Sequence, residues 1–121
     1  MANSFEAELR SGADLAQSWD ITASDDMDAG EVVVHGNMTG VVDQNIDDTR
    51  KYKCTFAGPV YKVPKAATSG SAITIGSLCY WDDTNNRVTT TASSHKVFGY
   101  AVETTVDADT HIHVLKTTPV T

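Results

Sequence analysis

Cysteine, leucine and cationic residues are all scarce in this chain of 121 residues, and each shortage excludes something. Its two cysteines, Cys54 and Cys79, are too few for a disulfide scaffold or a four-ligand zinc site. Each falls inside an apolar strand-like run, Tyr52–Phe56 or Leu78–Trp81, which predicts two small buried thiols kept reduced. Nine Lys and Arg stand against 16 Asp and Glu, a net charge of −7. That balance excludes the basic face needed to coat nucleic acid or to sit on anionic lipid. No run approaches the roughly 18 apolar residues of a membrane-spanning helix. No basic-then-apolar leader opens the chain, so the expected partners include neither nucleic acid nor membrane, and the expected site of synthesis is the cytoplasm. Also missing are a G-x-x-x-x-G-K-[ST] phosphate loop, a G-x-G-x-x-G turn after a strand and a G-x-S-x-G elbow.

What the chain does have is β-branched side chains: 13 Val, 5 Ile and 16 Thr against 4 Leu. They suit a pleated surface and lose freedom in helices, so the composition favours strands. Hydrophobic residues at 40% and charged residues at 21% support one core in one domain. From Gln17 onward, short strand signals alternate with turns. Trp19 and Ile21 alternate with Asp20 and Thr22, as a strand with one buried face requires. Further strands are expected at Glu31–His35, Met38–Val42, Lys51–Phe56, Val60–Val63, Ile73–Trp81, Arg87–Thr91, Val97–Glu103 and Ile112–Lys116. Gly36-Asn37 is read as a tight connection and Asp43–Arg50 as a polar loop. The prediction is an all-β, single-domain barrel or sandwich of about eight or nine short strands over residues 17–121. Residues 1–16 differ. They hold no β-branched residue, and, Met1 aside, Phe5, Leu9 and Leu15 are their only large apolar side chains. This stretch is read as an arm, loose in the free protein and suited to ordering on a partner.

The residues offer little chemistry. Ser93 and His95 have no spacing that suggests a nucleophile and base. His111 and His113 are two apart and share a strand face, and with His35 or His95 they could make a three-nitrogen metal site. The plainer reading is a solvated or cross-strand pair on a terminal strand. Asp25, Asp26, Asp28 and Glu31 resemble half a calcium loop, but Ala29-Gly30 interrupts the spacing, which leaves a solvated turn. Tyr80-Trp81-Asp82 could present a sugar-stacking platform, although core packing suits that run better. No catalytic residue, metal or cofactor is expected. A binding or structural module remains, with a carbohydrate- or host-surface-binding β module as the alternative function.

The order of segments is itself informative. Ala29–Val33, Gly40-Val41-Val42 and Gly58-Pro59-Val60-Tyr61-Lys62-Val63-Pro64-Lys65 are followed by Ile73–Asp82, Val88–Thr91 and Val97-Phe98-Gly99-Tyr100-Ala101. This ordered set, over about residues 17 to 116, resembles the capsid cement (head decoration) proteins of tailed phages. The resemblance implies a β-tulip similar to the lambda-type head decoration protein, and a homotrimer bound over three-fold positions of the capsid. It also implies a non-enzymatic function, stabilising the head through contacts with the major capsid protein. The location implied is the outer capsid surface of the virion, reached by assembly in the host cytoplasm. In that family type the N-terminal segment orders against the capsid, which makes Phe5, Leu9 and Leu15 the expected capsid-binding residues.

Overall fold

A computed structural model describes residues 17–23, 26–47 and 50–118. The expected arm, with Phe5, Leu9 and Leu15, lies outside the described residues. Nine strands follow one another: β1 (Gln17–Thr22), β2 (Val32–His35), β3 (Met38–Asp47), β4 (Lys51–Ala57), β5 (Val60–Pro64), β6 (Leu78–Asp82), β7 (Arg87–Thr89), β8 (Lys96–Ala101) and β9 (His111–Lys116). They form two antiparallel sheets, one in the order β1-β4-β3-β2 and one in the order β5-β9-β8-β6-β7. The all-β class and the strand number agree with the sequence. The sheets do not close into a barrel. The outer strands of the five-stranded sheet approach each other only at one isolated bridge, Lys65 to Val88.

Local sequence explains most of the boundaries. In β9 the polar and apolar residues alternate, so Ile112 and Val114 are buried while His111 and His113 face out. Gly36, at φ +63°, takes the first central position of the β2–β3 turn, where a type II′ hairpin needs glycine. Two expectations change. The polar stretch after Val42 is not all loop. β3 runs on to Asp47, because Gln44, Asn45 and Asp47 pair with Lys53, Tyr52 and Lys51, with register shifts at Val42/Gln44 and Asn45/Asp47. Conversely, Ile73–Ser77 is not strand. Gly76 at φ +86° ends a turn in which Ser77 N–H donates to the Thr74 carbonyl. Ile73 is nevertheless buried, its backbone bonded in both directions to Thr105.

Two apolar clusters hold the molecule. The larger lies inside the curl of the five-stranded sheet and gathers Val63, Cys79, Trp81, Val88, Phe98, Ile112 and Val114, with Val41 entering from β3. The smaller uses the opposite face of the four-stranded sheet: Ile21, Val42, Tyr52, Cys54 and Phe56. Adjacent residues Val41 and Val42 thus serve different cores, as the two faces of one strand must. Met27 packs on the smaller core, and its N–H donates to the Tyr52 hydroxyl at 2.9 Å, which draws the β1–β2 loop over that face.

Candidate functional site: interaction surfaces

The residues singled out for chemistry are dispersed or occupied. His113 Nδ1 lies 2.7 Å from Glu103 Oε2, and His111 Nδ1 lies 2.9 Å from the Thr110 hydroxyl. His35 stacks obliquely on Phe56 at 6.3 Å, on the other sheet. Among the described residues no three His, Cys, Asp or Glu side chains come together as metal ligands. The hydrogen bonds from His113 hold the Glu103 carboxylate below the usual range. In the acidic turn, Asp26 accepts from Arg50 Nε at 3.0 Å, and Gly30 adopts φ +92°. Trp81 is 5% exposed and packs on Phe98, with ring centres 5.8 Å apart, so it is core and not a stacking platform. Cys54 and Cys79 are free, buried and in separate clusters. Burial pushes each thiol up to about 11, with Asp43 and Asp20 adding to the effect at Cys54.

What the structure exposes instead is apolar side chains, and besides Ile46, Ile75, Val102 and Val106 they form two surfaces. The first lies on the outer face of the five-stranded sheet. Val60 of β5 pairs with Leu115 of β9, Leu115 with Tyr100 of β8, and Tyr100 with Leu78 of β6. Directly paired residues share a face, so these four form one continuous row across four strands. Val60, Tyr100 and Leu115 are exposed and Leu78 is half-buried. Beside the row lie Lys62, paired with His113, and the Glu103 carboxylate that holds His113. Beneath the row β8 and β9 approach closely. A side chain added at Gly99 would lie 1.9 Å from the Leu115 carbonyl oxygen.

The second is a groove of about 480 Å³ at the open end of the smaller core, lined by Ser18, Trp19, His35, Met38, Phe56 and Thr118. Trp19 pairs with Cys54 and shares the face of Ile21, yet it is 72% exposed where Ile21 is 5% exposed. The alternation in β1 places the indole correctly. Nothing among the described residues extends far enough along that face to cover it. Sequence reasoning expected Trp19 to be buried and passed over Leu115 and Tyr100. The available signal was phase: Leu115 is apolar at a position where β9 alternation puts side chains in water.

Two buried lysines were also missed. Lys116 is 1% exposed, and its Nζ donates to the carbonyls of Phe56 and Thr117 at 2.9 and 3.0 Å and lies 5.2 Å from the Phe98 ring centre. Lys65 donates to the carbonyls of Ala66, Val106 and Asp109. Both ammonium groups serve as internal struts between chain segments.

Comparison with known families gives a match that spans most of the chain: the model described as phage cement protein matches residues 13–116. No curated protein and no solved structure matches the chain.

Proposed function

The chain belongs to the phage cement protein family, and we propose that it stabilises the head from the outer surface, as a homotrimer bound at three-fold positions. As a family member it is a structural protein associated with the phage capsid. In the proposed role it works without catalysis, touches the major capsid protein directly and joins the shell during assembly in the host cytoplasm. Residues 1–16 act as an arm whose Phe5, Leu9 and Leu15 anchor it to the shell, while residues 17–121 form the body.

The observation that carries this reading is the pair of separate apolar surfaces on one β body. A cement protein must hold the shell and also its neighbours, and cyclic trimers close through heterologous contacts between unlike patches. Modest contacts repeated over an icosahedral shell then add through multivalency. The test is co-sedimentation with heads that lack this protein, together with light scattering. Binding to expanded heads and a mass of 3 × 13.0 = 39 kDa are expected. A stable dimer or tetramer, or failure to bind heads, would overturn the reading.

A further inference from the structure

We infer that the groove around Trp19 is the surface this protein presents to the capsid shell, and that it receives an apolar side chain or loop of a shell subunit. The inference rests on the cement reading and names the surface that performs it. Trp19 is the most exposed large apolar residue of the described chain, at 72%. It sits on β1, an outer strand of its sheet, beside Met38 and the ring of Phe56. A rigid indole over a groove is the kind of anchor that dominates protein interfaces, and soluble proteins seldom leave one uncovered.

Two observations say what covers it. The first is where the chain runs. Ser18 and Thr118, near the two ends of the described chain, both line the groove. The sixteen residues before Gln17 therefore depart from its rim, and fully extended they reach roughly 50 Å. They carry Phe5, Leu9 and Leu15, so an arm that holds the shell brings the groove to the same partner. The second is the contrast with the other apolar surface. The Val60–Leu115–Tyr100–Leu78 row lies on the outer face of the curled five-stranded sheet and is bordered by Lys62 and Glu103, charges of both signs that suit a neighbouring copy carrying the same pair. The groove is concave, and its lining has no carboxylate, lysine or arginine among the described residues. It therefore fits an apolar projection.

The experiment uses the full chain, heads that lack this protein, and Trp19→Thr, which puts a β-branched residue suited to a strand at that position of β1. The variant is expected to bind heads at least about tenfold more weakly, while its melting temperature and oligomeric state stay those of the wild type. In the wild type, Trp19 emission is expected to shift to the blue on binding heads, over the constant signal of buried Trp81. A variant that binds like the wild type overturns the inference alone, and so does wild-type binding without a spectral shift. A variant that binds heads but no longer self-associates overturns it too, by assigning the groove to a second copy. Wild-type protein that does not bind heads overturns the cement reading and this inference with it.

Discussion

Lys116 loses nearly all contact with water, and burial pushes its ammonium down from 10.5 to about 8 against the pull of two carbonyls and the Phe98 ring. Between those two values the folded protein has released the proton while the unfolded chain still holds it. Stability contributed by this residue therefore rises with pH across that window. At about 1.4 kcal/mol per unit, the gain is at most on the order of 3 kcal/mol. Cys54 and Cys79 act in the opposite sense, since raised thiol values lose stability as pH climbs from 9 towards 11. Those losses cancel when the wild type is compared with Lys116→Met. Urea unfolding at pH 7 and at pH 10 is expected to show the wild type gaining on the variant by about 1 to 3 kcal/mol. An unchanged difference would mean that the ammonium keeps its proton in the folded state. The thiols give a second check. Buried and protonated at neutral pH, neither is expected to react with a thiol reagent until the protein unfolds, and reductant is expected to leave the melting temperature unchanged. Rapid modification of native protein would show that one core opens.

At the scale of elements, β9 shows what was legible and what was not. The alternation of His111, Ile112, His113 and Val114 specified a strand with one buried face. The same phase places Lys116 inside and Leu115 outside, both against residue type, and only the neighbouring strands explain why. Lys116 finds the Phe56 carbonyl of β4, and Leu115 joins Val60 and Tyr100, which are distant in sequence. Boundaries failed for similar reasons. β3 continues past Val42 because β4 offers partners, whereas Ile73–Ser77 has strand-like residues but a turn at Gly76. Composition set the class, and pairing set the edges. The β8–β9 contact makes the point testable. Gly99→Ala would place a methyl group 1.9 Å from the Leu115 carbonyl oxygen and 3.0 Å from Val114 Cγ1, so backbone must move. A loss of about 1 to 3 kcal/mol is expected in denaturant unfolding. The displaced Leu115 would also weaken self-association if the row joins copies. A midpoint equal to that of the wild type would show slack between the strands.

At the scale of the whole molecule, both cores are built from residues between Ile21 and Val114. Among the described residues, every side chain in them belongs to the two sheets or to the loops that join them. In the proposed division the body of residues 17–121 folds without residues 1–16, and attachment needs Phe5, Leu9 and Leu15. A chain divided in this way separates stability from binding. Deleting residues 1–16 is expected to leave the thermal unfolding of the body within a few degrees of the full chain, because the clusters of the described residues are built from Ile21 to Val114. Binding to heads is expected to fall sharply, since each copy keeps only the contacts of its body and the sum over the shell shrinks with each. Calorimetry and co-sedimentation on the same preparation measure the two effects. Undiminished binding would place the anchor elsewhere, with the Trp19 groove as the remaining shell contact. A collapse of the unfolding transition would mean that the arm belongs to the core and that the body begins before Gln17.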